Sequence, residues 1–257
     1  MALRYSTAAR NFMAGIGGYK QAFQNGRIEI YTGAQPATAD AAVTGTLLCT
    51  VTSNSLARTA EVLATGSLTL STGASGSVNT LTVNGVDILG GTVAFDTSLT
   101  QTATDVATQI NNYWGVIDYT ASASGAVVTI TALPGTGASP NTFVVAATYT
   151  TITGSTVNLS GGVTAVNGLQ FGTAVGAAIA KLATQTWSGV NVASGTAGWY
   201  RQYGSVADTG AIDTNLVYFR EDGAISTAGA EWNFSSTALT LGATTTLSTD
   251  TYTVPTL

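Results

Sequence analysis

The residues of this chain that could do chemistry are few and poorly placed for it. Ala207–Ala211 reads ADTGA, and Asp-Thr-Gly-Ala is the arrangement in which paired aspartates share a proton and activate water for peptide hydrolysis. One copy needs a symmetric dimer to supply the second Asp208, and the surrounding GSVADTGAID is small and polar, without apolar strands to bury a dyad. The other reading is an exposed turn in which Asp208 caps and Gly210 reverses the chain. Histidine is absent, which removes Ser-His-Asp and Cys-His catalysis and the commonest metal ligand. The single cysteine, Cys49, can form neither an intrachain disulfide nor a structural zinc site, and in TLLCTV it reads as a small buried apolar residue. The acidic residues are scattered, without calcium-loop spacing. PGTGASP at Pro134–Pro140 lacks the Lys-Ser/Thr of a phosphate loop. Asn158 and Asn233 open glycosylation triplets, which have meaning only after secretion. No catalytic residue, metal or cofactor is expected, and the chain does not read as an enzyme.

Composition points to contact instead. Of 257 residues, 45% are hydrophobic and 8% charged, against roughly a quarter charged in ordinary domains. Solubility must rest on Thr, Ser, Asn and Gly, and such a surface has few charges to desolvate when a neighbour packs on it. A net charge of −5 argues against wholesale binding of nucleic acid. Arg4, Arg10, Lys20 and Arg27 are half of the eight basic residues. Between Arg58 and Lys181 there are none, while Asp87, Asp96, Asp105 and Asp118 fall in that gap. Two readings stand: a basic arm facing an acidic partner with an acidic middle facing away, or chance among few charges. No apolar run is long enough to span a membrane. The opening MALRYSTAARNFMAGIGG lacks the core of a secretory signal, so the chain is expected to be made and kept in a cytoplasm.

The elements emerge from periodicity. Residues 1–24 read as an arm with one short helix around Ser6–Ala14, interrupted at GIGGY because glycine is costly in a helix, and expected to be mobile or ordered by a partner. RIEIY and TLLCTVT are strands flanking the loop AQPATADAAVTG. From Thr65 the texture changes. SLTL, NTLTVNGVDIL and GTVAFD read as strands, with Asn84-Gly85 as a tight hairpin. TQTATDVATQINNYW puts Ala103, Val106, Ala107, Ile110 and Tyr113/Trp114 on one helical face, and Thr102 with Asp105 resembles a capping box. IDYTAS, AVVTITAL and NTFVVAATY come next as strands, so residues 65–163 are expected as an inserted α+β domain. ATQTWSGVNV, TAGWYRQYG, NLVYFRED and TTTLSTDTYTV are strand-like again. Trp187, Trp199 and Tyr218 are core candidates, and Glu221-Asp222 is expected to end its strand by staying solvated. The fold class is mainly β: a β-sandwich or jelly-roll-like domain split over residues 25–64 and 164–257, the insert, and the N-terminal arm.

Three segments carry a family resemblance. GRIEIYTGAQPATADAAVTGTLL shows the pattern Ile-Tyr-Thr-Gly, Pro-Ala-x-Ala-Asp-x-Ala, Thr-Gly-x-Leu-Leu, at Ile30–Gly33, Pro36–Ala42 and Thr44–Leu48. SGTAGWYRQYG (Ser194–Gly204) and DGAISTAGAEWNFSSTALTLGATTTL (Asp222–Leu247) supply a Gly-Thr-Ala-x-Trp-Tyr-Arg strand and a Gly-Ala repeat. Together they resemble tailed-bacteriophage virion structural proteins of the capsid cement or decoration type. Residues 65–163 depart from the short members and resemble a module of other phage structural proteins. The resemblance implies a capsid decoration protein seated on the major capsid protein and on copies of itself, as a homotrimer, located on the virion and touching neither nucleic acid nor membrane. Arg4, Arg10, Lys20 and Arg27 are then the candidate contacts to an acidic capsid subunit. A neck, tail or baseplate component is the alternative in the same class. A host-glycan-binding surface module, with Tyr113, Trp114 and Tyr119 as stacking faces, is the alternative from another.

Overall fold

The computed structural model describes residues 3–113, 115, 118–208, 210 and 216–253. The chain is mainly β, 44% strand and 12% helix, with several antiparallel sheets in a β-sandwich-like fold. It divides into two compact units, Met1–Glu61 with Ala165–Leu257, and Val62–Thr164.

The chain opens with β1 (Arg4–Tyr5), α1 (Thr7–Gly15), α2 (Tyr19–Phe23), β2 (Arg27–Thr32) and β3 (Leu47–Ser53). Helix α1 starts where the Ser6 hydroxyl, on extended backbone, accepts from the Ala9 N–H, and it stops at the glycines. The loose arm expected from those glycines does not form. Ala8, Ala9, Phe12, Tyr19, Ala22 and Phe23 are all buried, and the Phe12 ring packs 4.8 Å from Phe219. Small residues on the inner face let the helices lie close, and each buried ring removes enough apolar area from water to outweigh the glycine cost.

The chain leaves the first unit after Glu61 and returns at Ala165; the outgoing and returning segments pair antiparallel at Thr59–Val166 in one unit and at Val62–Val163 in the other. Between them lie β4 (Thr65–Thr72), β5 (Ser77–Val83), β6 (Val86–Asp87), β7 (Val93–Ala94), α3 (Leu99–Asn112), β8 (Tyr119–Ser124), β9 (Val127–Ala132), β10 (Val145–Thr150) and β11 (Thr153–Ser160). They form two four-stranded sheets, β11-β4-β9-β8 and β10-β5-β6 with β7 also on β5. Alternation puts Leu68 and Leu70, Val128 and Ile130, and Leu81 and Val83 inward, where they join Ala103, Val106 and Ile110 of α3 in one apolar cluster. Asn84 and Gly85, with φ of 50° and 81°, make the expected hairpin and set Val83 opposite Val86. Strand β11 has no counterpart among the strands expected from periodicity.

Helix α3 presents the expected face; Trp114 lies outside the described residues. Its cap differs from the expected one. The Ser98 hydroxyl accepts from the Gln101 N–H at 3.1 Å, so the cap is Ser98 with Gln101 one turn on. Thr102 sits inside the helix, fully buried, and donates to the Ser98 carbonyl at 2.9 Å, while Asp105 only accepts from the Gln101 amide. Core packing claims Thr102, and the cap falls to the last polar residue before the apolar stripe.

The chain then returns as β12 (Ala178–Ala180), β13 (Trp187–Val190), β14 (Gly195–Tyr203), β15 (Arg220–Ser226), β16 (Trp232–Asn233), β17 (Ala238–Leu239), β18 (Thr244–Leu247) and β19 (Thr251–Thr253). The large sheet runs β1-β15-β14-β2-β3-β13-β18, with β16 beside β15 and β17 beside β14; β12 and β19 pair separately. Trp187 and Trp199 are fully buried, the latter stacked 4.7 Å from Tyr31, whereas Tyr218 is half-buried and lies outside the strands. Glu221 and Asp222 do not end a strand in solvent. They lie near the start of β15, 4% and 0% exposed, because partners on both faces of the sheet hold them.

Replacing Ser98 by Ala should lower stability by about 1 kcal/mol in urea unfolding. Asp105→Ala should cost no more than about 0.5 kcal/mol, the worth of one helix-surface pair. Equal losses would restore the Thr102/Asp105 cap.

Candidate functional site

The loop between β2 and β3, which carries the first of the resembling segments, is where the buried charges of the large sheet meet. Arg201 on β14 lies directly across from Asp222 on β15, and Arg4 on β1 faces Asp222 from the other side. Side chains at paired positions project to the same face, so Asp222 stands between two arginines. The Arg201 guanidinium binds both Asp222 oxygens, Nε at 2.6 Å and Nη2 at 2.7 Å, and turns Nη1 to the carbonyl of Ala41 at 2.9 Å. The ion pair is dry, with side chains 2% and 0% exposed. Arg220, two residues before Asp222 and on the same face, binds Asp208 in the same two-pronged way at 2.6 and 2.7 Å, and its Nη1 reaches the carbonyls of Ala39 and Asp40. Arg4 donates to the carbonyl of Pro36.

Three arginines thus hold four consecutive or near-consecutive loop carbonyls. This explains the small residues of PATADAA. A planar fork fixed on a carboxylate has remaining N–H groups aimed outward, and only a closely applied backbone can satisfy them. Ala39 is fully buried beneath this contact. Asp40 faces the other way and receives the backbone N–H of Thr7 at 3.1 Å and its hydroxyl at 2.7 Å, fastening the loop to the start of α1. Burial pushes the Asp222 carboxyl up while Arg201, Arg220 and Arg4 pull it down. Burial also pulls Arg201 down, but Asp222 outweighs it and the guanidinium stays charged.

The four arm-derived candidates have separate partners. Arg4 belongs to the clamp. Lys20 is half-buried and donates to the Gly172 carbonyl at 2.9 Å. Arg27 pairs with Glu29 at 2.7 Å and lies 4.0 Å over the Tyr203 ring. Arg10 is exposed and donates to the Thr7 hydroxyl at 3.2 Å. Among the described residues the exposed charges are Arg10, Asp87, Asp96 and Asp118, so the unit formed by Met1–Glu61 and Ala165–Leu257 shows one of them, Arg10.

Asp208 is engaged on both oxygens by Arg220, and its Oδ1 also accepts from the Gly210 N–H at 2.7 Å; Thr209 and Ala211 lie outside the described residues. The expected exposed turn is not found at Asp208: its side chain is 3% exposed because Arg220 holds it, and its carboxylate is an ion-pair partner rather than a free nucleophile. Cys49 is free and buried, and burial pushes its thiol up to about 11. Tyr113 is half-buried, and Tyr119 packs on the apolar cluster of the insert. The residues that sequence reasoning missed are Arg201, Arg220, Glu221 and Asp222. Their signal was a charge set between aromatics, as in WYRQY, in a chain with very few charges.

Comparison with protein-family models, with curated proteins and with solved structures finds no match to this chain.

Arg201→Ala leaves Asp222 buried without its partner and should cost about 3–5 kcal/mol in denaturant unfolding. Arg10→Ala should stay within about 0.5 kcal/mol. A small loss for Arg201→Ala would mean that the clamp does not hold the unit together.

Proposed function

We propose that this chain is a structural subunit of a tailed-bacteriophage virion, acting as a capsid decoration or cement protein that works through contact surface. The observation that carries the reading is the placement of charge. Among the described residues the larger unit keeps its charged side chains buried or half-buried, Arg10 excepted, and presents an exterior of Thr, Ser, Ala and Gly with scattered exposed Val and Leu side chains. Such a surface gives up little hydration when a neighbour covers it. An interface of roughly 1,600 Å² on that basis needs no catalytic group to be stable.

The segments that resemble virion proteins support the same reading. Each contributes to the clamp: Pro36, Ala39, Asp40 and Ala41 come from the first, Arg201 from the second and Asp222 from the third. The insert, whose charges are Asp87, Asp96, Asp105 and Asp118, is the outward-facing part of the subunit in this proposal. The major capsid protein and further copies of the chain, as a trimer, are the partners.

Quantitative mass spectrometry of purified virions should find the chain in a fixed, high ratio to the major capsid protein. Recovery in threes or sixes per particle, with purified tails alone, would assign it to the neck, tail or baseplate. Absence from finished particles would end the virion reading.

A further inference from the structure

The face of β15 opposite the clamp holds a second, differently built group of charges. Arg220 and Asp222 point to one side of the strand, and Glu221 and Gly223 to the other. Tyr200 lies over Gly223, where its ring leaves no room for a Cβ, and its hydroxyl donates to Glu221 Oε1 at 2.9 Å. Tyr5, paired with Glu221 across β1, and Tyr19 on α2 turn their hydroxyls to the same carboxyl. Next to them is Asp250, at the head of β19. Tyr252 of β19 stacks on Tyr19 with centroids 4.1 Å apart, Trp232 stacks on Tyr200 at 3.7 Å, and the Trp232 ring N–H faces Asp250.

Among the described residues this group lacks a counter-charge. Lys20 is turned to Gly172, Lys181 donates to the Gln185 carbonyl at 2.5 Å, and Arg4 lies on the clamp side opposite Asp222. Glu221 Oε2 and Asp250 Oδ2 are buried without a hydrogen-bond partner among the described residues, and the Tyr5 hydroxyl, although turned towards Glu221, stands outside hydrogen-bond geometry. Tyrosines can donate to a carboxylate but cannot neutralise it. Strand β19, for its part, pairs with β12, and just before it the Asp250 carbonyl accepts from the Lys181 N–H at 2.9 Å.

We propose that Glu221 and Asp250 form a proton-dependent latch for β19: protonated, the pair stays buried beneath the tyrosines and holds the strand, and ionised, it repels and releases it. Glu221 is buried and Asp250 half-buried, and two neighbouring carboxylates so placed, with no cation beside them among the described residues, resist joint ionisation. Burial, with the Asp250 charge second, pushes Glu221 up to about 7, and burial pushes Asp250 up to about 6. Both lie above their unfolded values, so the closed state binds protons more tightly than the open one. The stabilisation is complete below the ordinary carboxylate range and is lost as pH rises through about 6 to about 7. The opening is local, confined to β19 and its cover. The latch is a property of the chain alone and is independent of the virion proposal.

Hydrogen exchange of the full chain, read by mass spectrometry and corrected for intrinsic pH dependence, tracks the β12 and β19 amides. From about pH 5 to about pH 8 their opening equilibrium should rise at least about tenfold in the unmodified protein, the equivalent of one pKa unit of linkage. Glu221→Gln and Asp250→Asn should flatten that rise, and Asp118→Asn, exposed in the insert, should leave it in place. Asp250 lies outside the large sheet, so Asp250→Asn keeps the test decisive where Glu221→Gln folds poorly. Protection of β19 that is constant across this range in the unmodified protein, or an Asp250→Asn variant with the same rise as the unmodified protein, overturns the latch.

Discussion

A guanidinium buried in a sheet must have its N–H groups matched, and that demand organises the larger unit. Arg201 satisfies it with Asp222 on the neighbouring strand and with a carbonyl from the β2–β3 loop. The loop can come that close only if it is built of alanines and threonines, and it stays there because Arg220 and Arg4 hold further carbonyls and Asp40 is fastened to α1. A buried ion pair adds little net stability against a well-packed apolar substitute, since desolvation offsets most of the attraction. Its contribution here is register. A slip of one residue between β14 and β15 would set Arg201 against Glu221 or Gly223 and move every charge to the wrong face.

The same sheet solves the problem of buried charge differently on its two sides. The clamp side pairs each carboxylate with an arginine. The other side gives Glu221 tyrosine hydroxyls and, among the described residues, no cation. One side is fastened by ion pairs, and in the proposed latch the other depends on a proton. Tyr5 of β1, Tyr19 of α2 and Tyr252 of β19 all gather on this side, so the first and the last strand of the described chain share one chemical condition.

Much of this architecture is legible in the sequence where one physical signal dominates. Alternation marks β2, β5, β9 and β14, a helical stripe marks α3, and Asn84-Gly85 marks a hairpin because both residues tolerate positive φ. The mainly β class can be read from these alone. Signals fail where tertiary contact overrides local preference. The glycines after α1 suggest a loose arm, but buried Phe12, Tyr19 and Phe23 hold it. Strand β11 is rich in Gly, Ser and Thr and is a strand because β4 pairs with it. Glu221-Asp222 reads as a polar strand end because sequence does not show that Arg201, some twenty residues earlier, lies opposite. The loop PATADAA stands out by composition and resemblance; what it binds does not, since no local pattern says which distant arginines reach its carbonyls.

The crossing between the two units consists of one outgoing and one returning segment that pair at Thr59–Val166 and again at Val62–Val163. The chain therefore enters and leaves the 62–164 unit side by side, and no strand of the nine-stranded sheet is drawn from it. A short reverse turn could bridge that gap as well as a hundred residues do. The joint has the form of a socket: the host sheet's hydrogen-bond ladder is made without any strand of the module that is plugged into it.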